Sequence, residues 1–396
     1  MIAFIIAPFF IALLIFVFVR TLKHISLYSS GFTKVCEYIL GIILFSGFII
    51  IVVGFLLSNN IEAKRTITKI GYVWLGLMLY FLIALLIAII IRAIIYLLFK
   101  KKGYNKELAR NITIVFVIVF TLFMNIYGHY NAHLLRVTNY DISINKKSNF
   151  DELNVVLISD LHIGYNVGVD EIKDMANKIN ELNPDLVILA GDLFDNEYDA
   201  IDNPNELINI LKNINSKYGK YFVYGNHDIE EKILVGFTFD YTKELKQNAI
   251  ADDRMNDFIK DAGFKLLYDS YELINDSVYV YGRPDAIKYN LGNNSRVDAK
   301  DITNDLDKNK TIICIDHEPG ELNELSNAGV DIDLSGHTHN GQIWPGTLTI
   351  NLFWDNAYGL KKIGNMYSIV TSGVGLFGVD LRTGCYPEIV NIKISF

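Results

Sequence analysis

Cysteine is scarce in this chain, and its spacing excludes a thiolate metal site. The 396 residues include three cysteines, Cys36, Cys314 and Cys385, and these form no CxxC pair. Cys36 borders an apolar stretch and Cys314 lies inside one, so we expect both to be inert packing residues. A disulfide between Cys314 and Cys385 stays open on these grounds, and cysteine usage does not fix the compartment.

Acidic residues are scarce in the first third of the chain and outnumber basic ones in the remainder. Through Arg136 there are 13 Lys and Arg against 3 Asp and Glu, and the totals of 36 and 44 leave 23 and 41 for the rest. The balance is therefore +10 before this boundary and −18 after it. This division predicts a membrane region followed by a water-soluble domain. The acidity of the second part argues against nucleic acid as a partner, because phosphate binding needs a basic face.

Four apolar stretches predict an all-α region of four transmembrane helices over residues 1–136. About 20 apolar residues span the hydrocarbon core of a bilayer, and the fourth stretch is short by that measure. The stretches run from Ile2 to Val19, from Tyr38 to Leu57, from Tyr72 to Phe99 and from Ile112 to Tyr127. The first lacks the basic flank and small-residue cleavage site of a signal peptide, so we expect a retained helix.

Basic residues in the predicted loops set the expected orientation in a cell membrane. The loops after the first and third stretches carry eight Lys and Arg, and the loop after the second carries three. Because cytoplasmic loops are enriched in Lys and Arg, we expect both termini and the acidic domain outside the cytoplasm. We expect Arg92, near the end of the third stretch, to snorkel towards the cytoplasmic face.

Two histidines near the end of the fourth stretch allow two interpretations. His129 and His133 have the i, i+4 spacing on a helix that suits a metal ion. Tyr127 and Tyr130 beside them are typical of an aromatic belt at a membrane interface. The sequence favours the aromatic belt over the metal site.

The remainder of the chain predicts a linker followed by an α/β domain. Residues 137–150 are polar and read as the linker, and residues 151–396 form the domain. Short apolar runs such as Val155 to Ile158 and Leu186 to Ala190 alternate with helix-spaced apolar residues, which predicts parallel βαβ units. The short strands and turns of the tail suggest the antiparallel closure of a second sheet. Residues 229–251 interrupt the alternation and fit either a connecting helix and loop or a lid.

Five predicted strands each end in ionisable or amide side chains. The carboxyl ends of strands in open α/β sheets are where ligands bind, and five of the eight histidines fall at these ends. The side chains are Asp160, His162, Asp192, Asn226, His227, His317, His337 and His339. Collecting carboxylates and imidazoles at one edge without a compensating charge costs desolvation energy, so we expect divalent cations there.

The types of ligand predict a site for two metal ions. Imidazole, carboxylate and amide groups without thiolate suit Mn²⁺, Fe or Zn²⁺, and there are too many of them for one tetrahedral ion. Two ions bridged by a carboxylate and a hydroxide would promote in-line displacement at phosphorus. We predict that His227 protonates the leaving oxygen and that Asp228 orients its imidazole.

These motifs, taken in order, resemble the calcineurin-like metallophosphoesterases. The motifs are Asp160-x-His162, Gly191-Asp192, Gly225-Asn226-His227-Asp228, His317 and Gly336-His337-Thr338-His339. The resemblance covers the chain from about Asn154 to Phe396 and implies a two-sheet α/β sandwich flanked by helices. It implies one metal held by Asp160, His162, Asp192 and His339, and a second held by Asp192, Asn226, His317 and His337. Asp192 would bridge the two ions, and His227 would be the catalytic histidine.

Two further segments look like the membrane-anchored, YkuE/YaeI-like branch of that family. They run from Gly336 to Gln342 and from Arg382 to Ile389. The branch usually has Gly where Asn340 stands, a departure that leaves every expected ligand in place.

The expected function is membrane-anchored, metal-dependent hydrolysis of a phosphate ester. A lipid-linked or amphiphilic phosphodiester is the favoured substrate, given the anchor and the apolar residues after Asp228, and membrane lipids are expected partners. A UDP-diacylglucosamine-type pyrophosphate is the alternative, but its cytoplasmic location conflicts with an outward domain. A phosphoprotein ranks third. A non-catalytic metal-binding scaffold would be expected to have lost ligands or the acid, and this chain retains them all.

Overall fold

A computed structural model describes residues 60–230, 233–234, 237–238, 252–286 and 296–396, with five separate positions between residues 46 and 53. The chain divides into two compact units, residues 1–74 with 233–239 and residues 75–232 with 240–396. The predicted helix from Ile2 to Val19 lies outside the described residues, and of the one from Tyr38 to Leu57 the structure describes residues 46, 47, 49, 50 and 53.

Two long apolar helices precede the sheets. Helix α1 spans Ile61–Phe99 and helix α2 spans Lys106–Ala132, and both are long and apolar enough to cross a membrane. At 1.5 Å per residue they measure about 58 and 40 Å, against about 30 Å for the hydrocarbon core. Both helices therefore extend beyond their apolar stretches. The basic residues from Lys64 to Lys69, predicted to lie between two apolar stretches, are helical because α1 begins at Ile61.

The outer faces of these helices are apolar and exposed, whereas their contact is small and close-packed. Ala84, Ala88 and Val117 are buried where the two helices meet, while Leu86 is 64% and Ile126 is 70% exposed. Exposed apolar faces of this extent are what a lipid environment requires. On α1, Arg92 Nη2 donates a hydrogen bond of 3.2 Å to Thr113 Oγ1 on α2, a contact that the sequence did not predict.

Fourteen strands follow α2 within the described residues. In chain order they are β1 Arg136–Ser143, β2 Glu152–Ile158, β3 Leu186–Ala190, β4 Lys220–Val223, β5 Ile233–Leu234, β6 Phe237–Thr238, β7 Lys265–Leu266, β8 Ser270–Ile274, β9 Val278–Gly282, β10 Thr311–Ile315, β11 Ile332–Ser335, β12 Gly359–Ile363, β13 Met366–Val370 and β14 Glu388–Ser395. The helices among them are α3 Val169–Glu181, α4 Pro204–Lys212, α5 Asp253–Asp261, α6 Leu322–Ala328 and α7 Gly346–Thr349.

Twelve of these strands build two six-stranded mixed sheets. The first sheet has the order β1-β14-β2-β3-β4-β7, and the second has the order β12-β13-β11-β10-β9-β8. Strands β2, β3 and β4 run parallel to one another, as do β9, β10, β11 and β13. The coarse prediction of a two-sheet α/β fold is therefore confirmed.

The main core lies between the two sheets. Leu157, Ile188 and Val223 of the first sheet share one buried cluster with Ile313 and Leu334 of the second. Helices α3, α4 and α5 cover the other face of the first sheet in a separate cluster. Strand β3 is buried along all five residues, which explains its unbroken apolar sequence, since central parallel strands are covered on both faces.

Strand β1 corrects the predicted linker. It pairs in parallel with β14 over eight residues, from Arg136 opposite Glu388 to Ser143 opposite Ser395. The linker prediction is therefore wrong over residues 137–143. The segment looks polar because β1 lies at the edge of its sheet and only Ile142 is buried, so it lacks the apolar run that marks a central strand. Strand β14 joins the first sheet by pairing in antiparallel fashion with β2. Strand β12 closes the second sheet in antiparallel fashion, as expected.

The remaining sequence expectations concern the insertion and the cysteines. Within residues 229–251, β5 and β6 pair as a separate antiparallel hairpin, and most of the other residues proposed to form a lid lie outside the described part. Cys314 and Cys385 are both buried free thiols, so no disulfide joins them.

The end of α2 contacts the segment from Leu381 to Cys385. Asn131 Nδ2 donates hydrogen bonds to the carbonyls of Arg382 at 3.0 Å and Cys385 at 2.8 Å. On α1, Tyr80 Oη hydrogen-bonds with Thr383 Oγ1. The motif that resembles the membrane-anchored branch therefore contacts both apolar helices through the loop before β14.

Candidate metal centre

The eight side chains predicted from strand ends come together at the carboxyl ends of β2, β3, β4, β10 and β11. Their ligating atoms form two groups, each with all its atoms within 4.8 Å of one another, and a third such group joins His162 and His227 to Asp195. The first group is Asp160, His162 and His339, and the second is Asp192, His317 and His337.

In the first group, two imidazole nitrogens converge beside a carboxylate. His162 Nε2 lies 3.1 Å from His339 Nε2, and the latter lies 3.3 Å from Asp160 Oδ1. All three residues are buried. Two buried imidazole nitrogens at this distance need either a shared proton or a cation between them, because their lone pairs otherwise repel each other.

The second group repeats this arrangement and adds an amide. His337 Nδ1 lies 3.2 Å from His317 Nε2, and Asn226 Oδ1 lies 2.9 Å and 3.1 Å from these two nitrogens. His317 Nδ1 lies 2.8 Å from the carbonyl of Ala190, and donation to that carbonyl leaves Nε2 with its lone pair towards the group.

Asp192 lies between the two groups. Its Oδ2 is 3.1 Å from His317 Nε2 and 3.8 Å from His162 Nε2. Its Oδ1 accepts a hydrogen bond of 2.8 Å from the backbone N–H of His227. This one carboxylate therefore connects both groups to the histidine predicted as the acid.

The backbone at these positions is unusual. Five of the side chains stand on residues with left-handed backbone angles: Asp160 (φ 53°), His162 (φ 46°), Asp192 (φ 52°), His337 (φ 67°) and His339 (φ 49°). Such angles cost about 1–3 kcal/mol for a non-glycine residue and persist where surrounding structure enforces them. The strain is concentrated at the residues whose side chains converge.

Gly225 shows how closely the strand ends approach one another. A Cβ at this position would lie 2.2 Å from Asp192 Oδ1 and 2.5 Å from the backbone nitrogen of Asp192. No side chain fits there without moving Asp192. The glycine that opens the Gly225-Asn226-His227-Asp228 motif is therefore required by packing against the central carboxylate.

A sequence model of the family described as calcineurin-like phosphoesterase matches residues 153–341. This range includes all eight of the converging residues. The chain contains a calcineurin-like metallophosphoesterase domain. The family is a group of phosphoester hydrolases that use divalent metal ions, so this protein is a hydrolase of that group.

Relatives of this metallophosphoesterase come from bacteria and animals. It is 28% identical over 295 residues to a Danio rerio transmembrane protein with a metallophosphoesterase domain, a match over 71% of this chain and 62% of that protein. It is 27% identical over 279 residues to the Bacillus subtilis metallophosphoesterase YkuE, covering 66% and 87% of the two chains. It is 25% identical over 251 residues to the UDP-2,3-diacylglucosamine pyrophosphatase LpxG of Chlamydia trachomatis, covering 55% and 74%.

The chemistry of the converging residues fits divalent cations. Burial lowers the pKa of His162 and His337 to about 3 and takes the pKa of His339 well below its usual range. These imidazoles are therefore neutral at physiological pH, which is the form that ligates a metal. Burial also lowers the pKa of His317, but the Asp192 carboxylate outweighs it and the net shift is upward. The raised pKa means that His317 binds a second proton when no metal ion is present, and a divalent cation would take the place of that proton.

Asp228 has a different role from the predicted one. Its carboxylate accepts three backbone N–H hydrogen bonds, from Asp192 at 2.9 Å, Phe194 at 3.0 Å and Gly225 at 2.7 Å. The prediction that it orients the His227 imidazole is therefore wrong. It is fully buried and ties the turn after β3 to the turn after β4.

Asn196 occupies the place expected for Asp228. Its Oδ1 is in hydrogen-bond contact with His227 Nδ1, and its Nδ2 donates to the carbonyl of Ile229 at 3.3 Å. That second bond fixes which end of the amide faces the imidazole. The polar pair Asp195-Asn196, four residues beyond the Gly191-Asp192 turn, was the sequence signal for this contact.

Phe377 and Arg382 are two further site residues that strand-end reasoning missed. The Phe377 ring centroid lies 4.7 Å from that of His227 and 5.6 Å from that of His162. Arg382 is fully buried, and its Nη2 donates to the carbonyls of Ser372 at 2.8 Å and Gly375 at 2.7 Å. Both residues lie in the loop before β14. Arg382 opens the segment that resembles the membrane-anchored branch, which was its sequence signal, whereas Phe377 lies in no motif.

Proposed function

We propose that this protein is a membrane-anchored phosphoesterase that hydrolyses phosphate esters at a centre for two divalent metal ions. The observation that carries the proposal is the position of Asp192 between two groups of converging imidazoles. A single ion would leave one group of buried nitrogens without a charge to face, whereas two ions use every donor. The reaction type is inferred from the metallophosphoesterase family, which is a group of phosphoester hydrolases.

The assignment of ligands follows the two groups. One ion would be held by Asp160, His162, Asp192 and His339. The other would be held by Asp192, Asn226, His317 and His337. Bound divalent cations would polarise the phosphorus–oxygen bonds of the ester. The mixture of imidazole, carboxylate and amide donors suits Mn²⁺, Fe or Zn²⁺.

His227 is proposed as the general acid because it stands beside the metal groups without belonging to them in the assignment. Asn196 accepts the Nδ1 proton, which leaves Nε2 as the nitrogen that gives a proton to the leaving oxygen. The Phe377 ring packs against the His227 imidazole, and this packing limits the rotation of the imidazole.

Replacing Asp192 with Ala tests the proposal. The variant should lose metal-dependent hydrolysis of an aryl phosphodiester, because both ions share this carboxylate. The full chain is assayed in detergent with Mn²⁺ before and after chelation. Activity that survives in the variant at the wild-type level would contradict the two-metal centre.

The proposed membrane arrangement has four transmembrane helices, with the acidic domain outside the cytoplasm. Support comes from the two apolar helices, from the loop charges and from relatives named as transmembrane proteins. A map of accessible single cysteines across the membrane tests it. The expected result is labelling of the metallophosphoesterase domain from outside, and labelling from the cytoplasm would reverse the orientation.

A lipid-linked or amphiphilic phosphodiester is the proposed substrate. A groove of about 570 Å³ lies beside α2 and offers space for an acyl chain along its apolar residues Leu77, Leu122, Ile126 and Leu134, while Asn125, His129, Tyr130 and His133 complete its lining. Leu122 lines this groove, whereas Leu86 is exposed on α1 and is not among its lining residues. Leu122→Trp should lower kcat/KM for a long-chain diester and spare a soluble aryl diester, with Leu86→Trp as the matched control. Equal effects of both variants would exclude the groove.

A UDP-diacylglucosamine-type pyrophosphate is the second candidate, and the relative LpxG favours it. Because that substrate is made in the cytoplasm, this function requires the opposite orientation. Release of nucleoside monophosphate from a UDP-diacylglucosamine by the purified chain, together with cytoplasmic labelling of the domain, would favour it over the diester.

A non-catalytic scaffold is the alternative from another class. Such a protein would retain the fold and bind fewer ions at the sheet edges. The metal content distinguishes the enzyme from the scaffold. The proposal requires two ions at the sheet edges of the wild type and their loss in Asp192→Ala.

A further inference from the structure

The end of helix α2 carries a second kind of histidine cluster. His129 and His133 stand one helical turn apart, and Asp380 reaches them from the loop before β14. Asp380 Oδ2 lies 2.8 Å from His129 Nδ1, and Asp380 Oδ1 lies 3.3 Å from His133 Nε2. One donor atom from each residue lies within 4.8 Å of the other two.

We propose that His129, His133 and Asp380 bind a third divalent cation of the Zn²⁺ type, separate from the metal centre at the sheet edges. The three residues come from two segments 247 positions apart in the chain, so the fold brings them together. Two imidazoles and one carboxylate are a sufficient ligand set for such an ion.

The distances are close to those of a coordinated ion. Zinc lies about 2.0–2.1 Å from nitrogen or carboxylate oxygen, so ligand atoms in a tetrahedral site are about 3.3 Å apart. Of the two nitrogen–oxygen distances here, that to His133 equals this value at 3.3 Å, and that to His129 is about 0.5 Å shorter at 2.8 Å. The His129 side chain is 62% and that of Asp380 is 23% exposed. An ion can therefore enter from solvent and keep one position for water.

Glu171 provides the outer contact that metal-bound imidazoles commonly have. Its Oε1 lies 3.8 Å from His133 Nδ1, the ring nitrogen opposite the one that faces Asp380. A carboxylate at that position favours the Nδ1–H tautomer and leaves Nε2 to bind the ion. Glu171 itself is held in place, because its Oε2 accepts a 3.0 Å hydrogen bond from the backbone of Gly168.

The cluster lies where an ion would connect the membrane helix to the catalytic region. Asp380 follows Phe377 by three residues, a span of at most about 11 Å, and Phe377 contacts the His227 imidazole. The neighbouring Leu381 already packs against α2, close to Gly128. An ion held by His129, His133 and Asp380 would fasten this loop to α2.

The test is a count of bound ions in the full chain, purified in detergent without a polyhistidine tag. Equilibrium dialysis against micromolar free Zn²⁺ should give three ions per wild-type chain. His129→Ala/His133→Ala should give two. Tyr130→Ala, a change on the same turn at an exposed residue outside the cluster, should keep three. An identical count in the wild type and the double variant would overturn the proposal.

Cobalt provides a readout that a purely structural histidine–aspartate contact would not change. Co²⁺ in a four-coordinate histidine and carboxylate site absorbs visible light through d–d transitions. The wild-type minus double-variant spectrum should contain that band, and Asp380→Asn, which keeps an oxygen at the same place, should weaken it. A featureless difference spectrum would show that the histidines only hydrogen-bond to Asp380.

Discussion

The described part of the chain has a histidine cluster at the sheet edges and another at the end of α2, and they are built in opposite ways. At the sheet edges, His162 and His317 have side chains that are 1% and 0% exposed, and most of the converging residues have left-handed backbone angles. At the end of α2, the His129 side chain is 62% exposed on a regular helix. The first cluster is fixed by the backbone and by burial, and the second is defined by one helical turn and one loop carboxylate.

This difference separates preorganisation from simple proximity. Holding ligands in strained, buried positions costs folding energy but leaves little to rearrange when an ion or a substrate binds. An exposed cluster costs less to build and holds its ligands less firmly. We therefore expect chemistry at the sheet edges and a connecting role at the helix end.

The largest expected effect comes from Gly225→Ala, which tests the rigidity of the sheet-edge cluster. The new Cβ would displace Asp192, so we expect loss of both ions there and a fall in the rate of about 10³-fold or more, equivalent to about 4 kcal/mol. Metal analysis and diester hydrolysis measure the two effects. Gly320→Ala is the matched control, because a Cβ there meets nothing within 4 Å. Normal metal content in Gly225→Ala would show that the turn is more adaptable than the packing indicates.

His227→Ala should separate proton transfer from metal binding in the same cluster. We expect kcat to fall by about 10²–10³-fold, because a positioned acid contributes on that scale. The two ions should remain. The fall in kcat should be smaller for a diester with a strongly acidic leaving alcohol, because that alcohol leaves without needing a proton. Loss of an ion in this variant would mean that His227 is itself a ligand.

Asn196→Ala tests the positioning of that imidazole. Partners of this kind typically change activity by about 10–100-fold, and the loss should fall on kcat with KM nearly unchanged. Asn196→Asp should restore part of the rate, since it keeps an oxygen facing Nδ1. The pH profile of kcat should shift in both variants, and an unaltered profile with equal losses would indicate a merely structural role.

Phe377→Ala should have the smallest effect and tests the connection between the clusters. Contacts between aromatic rings contribute about 0.5–1.5 kcal/mol beyond their buried area, which predicts a fall in kcat of about 2–10-fold. Phe353→Ala, at a residue that is 75% exposed, is the control. If Phe377→Ala and its control behave alike, the loop before β14 does not influence His227.

Much of the fold and of the sheet-edge cluster was predictable, because buried parallel strands have apolar sequences that end abruptly in polar residues. The run from Leu186 to Ala190 and the polar ends after it illustrate this signal. The coarse fold and the family are confirmed. The ligand roles of Asp160, Asn226 and the other strand-end residues stay predictions, although the structure brings them together.

The errors share a physical cause, which is that local patterns do not reveal distant pairing. Strand β1 is polar because it lies at a sheet edge, so it resembled a linker until its pairing with β14 was known. Asp228 is adjacent to His227 in sequence, but its side chain turns towards backbone N–H groups, and Asn196 from another turn meets the imidazole. The His129 and His133 spacing was visible, whereas Asp380, more than 240 residues away, was not.

The most direct test of the two-metal centre is a Mn²⁺ titration of the metal-free His129→Ala/His133→Ala chain, in which the cluster at the end of α2 is removed. Bound Mn²⁺ and aryl phosphodiester hydrolysis are measured at each point. We predict little activity up to one ion per chain and a steep rise as the second ion binds. Full activity with one ion per chain would contradict the central claim.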